Sequence, residues 1–263
     1  CKKKIAKKIF VFEKSKKSQR TLKRFKLKFE LIEKMDEKIS ECDFIVICTP
    51  LSEYEKIFLA CNKYSKKNIL ITDVGSAKKN TITKIKRIKR KDIKWISSHP
   101  IAGSEVSGPL NGNENLFLNK WSVIIKQKNS QNKEMKKILK FWKLLGSRTV
   151  TMDAVQHDKI FAITSHLPHL IAYNLMLTAT NFKILNKDNV LRFSAGGLRD
   201  FSRIAASNEI MWRDIFFNNK SNMLKVIDLF IKNLKIFKQD IKLNRKNLET
   251  KLKNLKKVRQ KIV

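Results

Sequence analysis

The sequence predicts an α/β protein: a doubly wound parallel sheet over residues 1–152, followed by an all-helical domain over residues 153–263. Three observations support this fold class. Short apolar runs alternate with amphipathic segments through the first part of the chain, as in parallel sheets covered by helices. Strand signals end near Asp153. Long helical periodicities then continue to the end of the chain.

Apolar runs rich in β-branched and aromatic residues are the predicted strands of the first domain. The run Phe44–Cys48 is continuously apolar, as expected for a strand covered on both faces, and Pro50 stops its ladder. The predicted strands are Ile9–Phe12, Phe44–Cys48, Asn68–Thr72, Lys94–Ser97, Trp121–Ile125 and Arg148–Met152.

Apolar positions that recur three and four residues apart predict the helices. Between the last two strands this spacing covers residues 135–142, and Gly146 stands where a helix C-cap belongs. In the second domain the periodicity runs over residues 157–180, 221–239 and 248–262. The last of these could instead be a coiled-coil arm.

Composition limits the possible classes of function. Hydrophobic residues make up 42% of the 263 residues and include 16 Phe, which is enough for a core and argues against disorder. The 58 basic and 23 acidic residues give a net charge of +35. This charge fits a polyanion partner such as nucleic acid or anionic lipid, or lysines that simply coat solvated faces. The even spread of the bases along the chain favours the second interpretation.

The cysteines predict the compartment of the protein, and the lengths of its apolar runs predict whether it spans a membrane. Cys1, Cys42, Cys48 and Cys61 form no CxxC pair, which predicts a reduced, cytoplasmic protein without a structural metal. No apolar run approaches the ~18 residues that a membrane span needs, and no signal peptide is visible. We therefore expect no membrane partner.

The beginning of the chain departs from a complete dinucleotide-binding domain. Such a domain opens with a strand and a glycine-rich turn that meets the pyrophosphate, yet no glycine precedes Gly75. Either the fold is different, or the chain starts inside the first helix and lacks that strand and turn. Glu13 favours the second explanation, because an acid at the end of the second strand receives the ribose hydroxyls of NAD. A solvated glutamate is the alternative.

Three polar clusters hold most of the histidines and glycines. Residues 98–108 combine His99 with Glu105 and two glycines, residues 165–169 hold two further histidines, and residues 196–207 gather glycines and arginines. Because the chain has only four His and seven Gly, this crowding marks candidate sites.

These motifs together resemble the prephenate/arogenate dehydrogenase family, and especially its broad-specificity cyclohexadienyl members. The matching segments follow the family order over nearly the whole chain, and the His99 loop and the run 196–212 are the most specific. The absent glycine-rich turn is the departure. The segments are Phe12–Ser15, Ile47–Pro50, Thr72–Lys78, His99–Glu105, His157–Asp158, Ser165–Leu170 and Ser194–Phe216.

The resemblance implies a reaction, a cofactor and an assembly. The reaction is oxidative decarboxylation of prephenate or arogenate to 4-hydroxyphenylpyruvate or tyrosine, with hydride transfer to NAD or NADP. Glu13 favours NAD because it would repel a 2′-phosphate, although three nearby lysines weaken this preference. The helical domain is expected to form a homodimer, with no specific nucleic-acid partner. A basic nucleic-acid-binding protein and an inactive remnant of the dehydrogenase are the alternatives.

The resemblance also assigns candidate roles to single residues. His99 is the candidate proton acceptor, since neutral imidazole accepts a hydrogen bond from a hydroxyl; otherwise it caps a loop. Ser76 would orient groups near the nicotinamide, or be an N-cap serine. Arg203 would clamp a substrate carboxylate, with Arg199 and Arg213 as alternatives that could equally form helix ion pairs.

The remaining candidates lie around these three. His169, Ser207 and Trp212 are expected to contact substrate, although Trp212 could be ordinary core. Glu105 could anchor Arg203, gate the entrance or face solvent. The backbone of Thr49 and Pro50 is expected to approach the cofactor. Structural roles are expected for His166, His157 and Asp158.

Overall fold

The computed structural model describes residues 5–126, 132–182 and 190–262. Contacts within the chain divide it into two compact units, one up to residue 220 and one from residue 221 onward. The boundary predicted between residues 152 and 153 lies inside the first unit and stays a prediction.

The first unit begins with two parallel sheets. The first sheet pairs β1 with β2, and the second has the order β3-β4-β5. An α-helix connects the two strands of each parallel pair, as parallel pairing requires. The elements are β1 (Phe10–Phe12), α1 (Lys16–Arg24), β2 (Glu30–Ile32), β3 (Phe44–Ile47), α2 (Tyr54–Tyr64), β4 (Leu70–Asp73), α3 (Lys79–Ile88) and β5 (Lys94–Trp95).

A third sheet corrects the prediction of a purely parallel fold. It consists of β6 (Ser98–Pro100), β7 (Trp121–Ile125) and β8 (Arg148–Met152), and β6 runs antiparallel to β7. The predicted strand Lys94–Ser97 is split, since β5 ends at Trp95 and β6 begins at Ser98. The physical reason is that the segment 101–120 returns to the sheet without the crossover helix that a parallel pair needs.

Helix α4 (Asn132–Leu144) supplies the parallel crossover between β7 and β8. Ile138 and Trp142 on this helix are buried against Ile124 of β7, and Gly146 has the positive φ of 95° expected after a helix end. These contacts confirm the helix and the cap that the sequence predicted. A larger core of buried apolar side chains lies among β3, β4, α2 and α3.

The rest of the first unit is helical. Helix α5 (Ala154–Phe161) continues through one π-helical turn at residues 162–166 into α6 (Leu167–Asn181). Pro168 lies in the first turn of α6, where its missing N–H is tolerated. Two further helices follow: α7 (Gly196–Ser202) and α8 (Glu209–Asn218).

By length and composition alone, the helical stretch 154–181 is apolar enough to cross a membrane, whereas the sequence predicts no span. Single polar residues interrupt its apolar runs without lowering the mean hydropathy far. The stretch carries the buried side chains of His157 and Asp158, and Asp158 accepts hydrogen bonds from the backbone at the start of α3. These polar contacts tie the start of the stretch to the sheet domain, although only 28% of its most apolar window is buried.

The second unit holds most of α9 (Lys220–Lys242) and all of α10 (Asn247–Arg259). The two helices lie within about three residues of their predicted ranges. The carboxylate of Asp240 is buried and pairs with Arg245 and Lys251, which ties the end of α9 to α10. Asn244 takes a positive φ of 47° in the turn between them.

Candidate active site

A buried charge fixes the loop that follows β4. The Asp73 carboxylate is 1% exposed and accepts hydrogen bonds from Lys78 Nζ at 2.7 Å, Tyr54 Oη at 3.0 Å and Trp95 Nε1 at 3.0 Å. Burial lowers the pKa of the Lys78 ammonium, and the Asp73 carboxylate opposes that shift. The pair therefore holds residues 74–78 in place at the carboxyl end of the strand.

Ser76 lies in this loop, directly after a glycine that the packing requires. A Cβ added at Gly75 would lie 2.6 Å from Leu51 Cδ2 and 2.7 Å from Tyr54 Oη, so a larger residue would displace these side chains. The loop can thus approach α2 closely and bring Ser76 to the edge of the sheet where open α/β folds bind ligands.

His99 lies beside the same edge. Its neighbour Ser98 donates through Oγ to the Asp73 carbonyl oxygen at 2.7 Å and accepts from Trp142 Nε1 at 2.9 Å. These bonds join β6 to the end of β4. The His99 side chain is buried, at 7% exposure, and packs edge-on against the Phe161 ring with centroids 4.9 Å apart.

A chain of three side chains extends from His99 into the helical region. Nδ1 of His99 is 2.8 Å from Nε2 of His157, and Nδ1 of His157 is 2.8 Å from Oδ1 of Asp158. The Asp158 carboxylate also accepts from the backbone N–H groups of Lys78 and Lys79 at 2.9 and 2.8 Å. It therefore caps the first turn of α3, where a negative charge is favoured.

His166 completes a buried cluster of three histidines. Its Nδ1 lies 3.1 Å from Nδ2 of Asn219, which also donates to the Asp158 carbonyl at 2.8 Å. His166 closes the π-helical turn, a feature frequent at functional sites. His157 and His166 are both fully buried.

Burial keeps these imidazoles neutral. Desolvation, followed by the nearby His157, Lys78 and His166, holds the pKa of His99 well below its ordinary value. Burial also lowers the pKa of His157, against the opposing hydrogen bond from Asp158. In the same way burial lowers the pKa of His166 to about 4. At neutral pH His99 is therefore in its neutral form, with a lone pair that can accept a hydrogen bond.

A second group of candidates lies at a more exposed rim. Nη1 of Arg203 donates to Oε2 of Glu105 at 2.7 Å; the arginine side chain is 60% exposed and the glutamate side chain 23%. The backbone N–H of Glu105 and then the Arg203 guanidinium lower the pKa of the Glu105 carboxyl. Of the three alternatives for Glu105, the structure has the ion pair with Arg203.

His169 stacks on Trp212, with ring centroids 3.6 Å apart and planes at 22°. Its Nδ1 lies 3.0 Å from the Ser165 carbonyl oxygen, which makes Nδ1 the protonated nitrogen. Burial lowers the pKa of His169; the Ser165 carbonyl opposes this, and Arg203 adds to it. The charge of Arg203 is thus felt at the His169 imidazole.

Trp212 and Ser207 are both buried. Within the part of the chain that the structure describes, Nε1 of Trp212 and Nε2 of His166 have no hydrogen-bond partner. Oγ of Ser207 donates to the Ile204 carbonyl oxygen at 2.7 Å, and its own carbonyl accepts from the Tyr173 hydroxyl at 3.1 Å. Ser207 is therefore held in the short turn that carries Arg203.

Arg213, one of the alternatives to Arg203, is engaged in a local ion pair. Its guanidinium donates to Oδ1 of Asp214 at 2.7 and 3.1 Å, and Oδ2 of Asp214 accepts from the Ser52 backbone N–H at 2.8 Å. This contact ties α8 to the loop after β3.

The candidate cofactor residues lie at the carboxyl ends of β1 and β3. Glu13 follows β1, and its Oε1 accepts from the Ser15 backbone N–H at 2.7 Å. Lys14 pairs with Glu53 beyond the end of β3, whereas Lys8, before β1, pairs with Glu41, before β3. The two strands therefore run in the same direction and end at the same edge, with Thr49 and Pro50 following β3. No three His, Cys, Asp or Glu side chains in the described ranges are grouped to hold a metal.

Sequence reasoning assigned His157 and Asp158 a structural role and overlooked both Asp73 and Lys78. The structure places His157 and Asp158 in a hydrogen-bonded line with His99, and their role stays a prediction. His157 is 58 residues from His99, so no local spacing signals their contact. The adjacent His-Asp pair at a helix start was the only available signal.

Comparison with known proteins gives one consistent family. Family models for the nucleotide-binding domain and the dimerization domain of prephenate dehydrogenase match residues 1–151 and 153–257. A cyclohexadienyl dehydrogenase of Zymomonas mobilis is 32% identical over 201 residues, which are 76% of this chain and 68% of that protein. A prephenate dehydrogenase of Bacillus subtilis is 30% identical over 198 residues, which are 74% of this chain but only 53% of that protein.

Solved structures agree with the sequence matches. Prephenate dehydrogenase from Aquifex aeolicus, in complex with hydroxyphenyl propionate and NAD+, superposes with a TM-score of 0.89 at 28% identity, covering 100% of this chain and 91% of that one. Arogenate dehydrogenase from Synechocystis has a TM-score of 0.75 at 19% identity and covers 97% of this chain and 91% of its own. The second likeness concerns the fold alone.

Proposed function

The chain belongs to the prephenate dehydrogenase family, and we propose that it catalyses the oxidative decarboxylation of prephenate, arogenate or both, with NAD as hydride acceptor. The products would be 4-hydroxyphenylpyruvate and tyrosine respectively, which places the reaction in tyrosine biosynthesis. The substrate is a cyclohexadiene with a ring hydroxyl and a ring carboxylate. Loss of carbon dioxide aromatises the ring, so the protein mainly has to orient the reactants and accept a proton.

The observation that carries this proposal is the position of His99. Its imidazole lies next to the end of β4 and the Ser76 loop, is kept neutral by burial, and is held through Nδ1 by His157. The ring hydroxyl of the substrate would donate to Nε2 and pass its proton there. Carboxylates of the bound substrate would favour the imidazolium, which offsets the low pKa of the empty site.

Substrate binding is proposed at the rim. Arg203 would exchange Glu105 for a substrate carboxylate, because a guanidinium grips such a group through two parallel hydrogen bonds. His169 and Ser207 lie beside Arg203 and would set the orientation of the substrate. The buried indole N–H of Trp212, which has no partner among the described residues, would be a further donor to the substrate.

The residues at the carboxyl edge fit a dinucleotide. Glu13 would receive the ribose hydroxyls, the backbone of Thr49 and Pro50 would line the cleft, and Ser76 would hold the nicotinamide end. Bound NAD supplies the acceptor for the hydride. Glu13 would repel the 2′-phosphate of NADP, so we propose a preference for NAD.

We further propose a cytoplasmic homodimer formed through the helical region. The match to a dimerization-domain model over residues 153–257 supports the dimer. The exposed apolar side chains on α9 and α10 fit the same proposal.

One assay tests the proposed function. Reduced-nicotinamide absorbance is followed with prephenate and with arogenate, each offered NAD and NADP. We expect turnover with at least one substrate and a higher kcat/KM with NAD. Absence of turnover in all four combinations, for protein that is folded by circular dichroism, would contradict the proposal.

A further inference from the structure

We infer that His157 and Asp158 are positioning residues that hold His99 in the tautomer whose Nε2 carries no proton. The inference deepens the proposed function, in which that nitrogen accepts the proton of the ring hydroxyl. It depends on which atoms in the buried chain can donate and which can only accept.

The direction of the chain is set at Asp158. Its Oδ1 contacts the Lys78 backbone N–H at 2.9 Å and Nδ1 of His157 at 2.8 Å, while its Oδ2 contacts the Lys79 backbone N–H at 2.8 Å. Backbone N–H groups can only donate, so the carboxylate accepts from both of them. A carboxylate that accepts on both oxygens leaves Nδ1 of His157 as the donor.

That assignment passes to His99. In a neutral imidazole one nitrogen donates and the other accepts. With its proton on Nδ1, His157 offers a lone pair at Nε2, and this nitrogen lies 2.8 Å from Nδ1 of His99. His99 must then donate from Nδ1, which leaves Nε2 unprotonated. Both rings are buried, at 0% and 7% exposure, so water does not compete for these bonds.

The same chain stabilises the product of proton transfer. When the hydroxyl proton moves to Nε2, the His99 imidazolium keeps its Nδ1–H bond to His157, and the Asp158 carboxylate lies at the far end. The other charged and titratable groups that face the cluster are Lys78, Asp73 and His166. The positive charge of Lys78 destabilises the His99 imidazolium. The negative charge of Asp158 is needed to offset this repulsion.

The position of Asp158 also fixes the chain in space. The backbone N–H groups that it caps begin α3, two and three residues after Ser76. A displaced Asp158 would therefore move the base and the Ser76 loop relative to each other.

A direct measurement is the tautomer of His99 by ¹⁵N NMR of protein labelled at histidine, assigned through the signals that disappear in His99→Asn. We expect a pyrrole-type Nδ1 and a pyridine-type Nε2 at pH 7.5. The reverse pattern would overturn the inference. The spectrum needs no turnover, so it remains decisive even if the proposed function fails.

Kinetics provide the second measurement. Asp158→Asn should lower kcat by roughly 10²–10⁴-fold, the range for loss of the correct histidine tautomer or of a general base, with KM within about threefold. Asp153→Asn is the matched control, because Asp153 is an exposed N-cap on the same helix and Asn caps equally well. It should leave kcat unchanged.

Two substitutions of His157 separate positioning from packing. His157→Gln retains an acceptor for Nδ1–H of His99 and should preserve the tautomer and part of kcat, whereas His157→Leu should lose both. If His157→Leu, or a folded Asp158→Asn, kept the wild-type tautomer and kcat, the two residues would be merely structural and the inference wrong. If Asp158→Asn does not fold, the inference is tested by the wild-type ¹⁵N spectrum and by the comparison of His157→Gln with His157→Leu.

Discussion

Two of the polar contacts that link the sheet part of the first unit to its helices differ in their access to water. In the chain His99–His157–Asp158 every side chain is at most 7% exposed. In the rim pair Glu105–Arg203 the arginine side chain is 60% exposed. Buried polar groups are costly to leave unpaired, whereas an exposed pair is screened and contributes little.

This difference matches two different tasks. A base must keep one geometry and begin each turnover in one tautomer, and a dry chain of paired side chains provides both. A clamp must release one anion in order to take another, and an exposed guanidinium can exchange Glu105 for a substrate carboxylate at little cost. Substitutions in the two regions should therefore affect different quantities.

The largest effect on activity is expected in the buried chain His99–His157–Asp158. His99→Asn keeps an N–H that can donate to His157 but removes the base, so kcat should fall by about 10²–10⁴-fold or more. Substrate affinity should stay within about tenfold, because no charged binding group is lost. Steady-state kinetics with equilibrium binding measure both. A large loss of affinity with intact kcat would show that His99 binds substrate and is not the base.

The buried ion pair beneath the site tests the same contrast through stability. Lys78→Met leaves the Asp73 carboxylate buried without its counter-charge and should lower the free energy of unfolding by about 3–5 kcal/mol. Lys66→Met removes the partner of Asp43, which is 92% exposed, and should leave the urea midpoint unchanged. Adding Asp73→Asn to Lys78→Met should recover part of the loss, because the buried charge is then gone.

The sequence predicted the parts of the molecule that local patterns encode. The apolar runs that became β1, β3, β7 and β8, the helix 135–142 and its Gly146 cap all follow from spacing within a few residues. The motifs that resemble the family also identified His99 as the candidate base and Glu105 and Arg203 as candidate binding residues.

Contacts between distant segments could not be predicted. Lys78 is one of 58 basic residues, and nothing local distinguishes the one that is buried on Asp73. His157 meets His99 across 58 residues, and the antiparallel return of β6 depends on a loop without any periodicity. Such contacts depend on tertiary packing.

Acid should lower the free energy of unfolding through the buried histidines. The folded pKa values of His99, His157 and His166 are lowered from 6.5, so the unfolded chain binds protons that the folded chain rejects. This stabilisation is complete above pH 6.5 and is lost as pH falls toward the folded value of about 4 for His166. Urea unfolding between pH 7.5 and 5 should show a falling free energy of unfolding. His166→Gln should have a shallower slope, and an unchanged slope would mean that His166 titrates normally in the fold.

The smallest effect is expected at the rim. Arg203→Gln removes a charged donor to the substrate carboxylate and should raise KM by about tenfold to a hundredfold, with kcat within about threefold. Glu105→Gln is the matched control: it removes the anion that Arg203 must release, so KM should stay the same or fall. Raising the salt concentration should weaken substrate binding by the wild type more than by Arg203→Gln, because an exposed charge pair is screened. If Arg203→Gln lowered kcat and left KM intact, the rim would share the task of the buried chain, and the separation between an exchangeable clamp and a fixed base would fail.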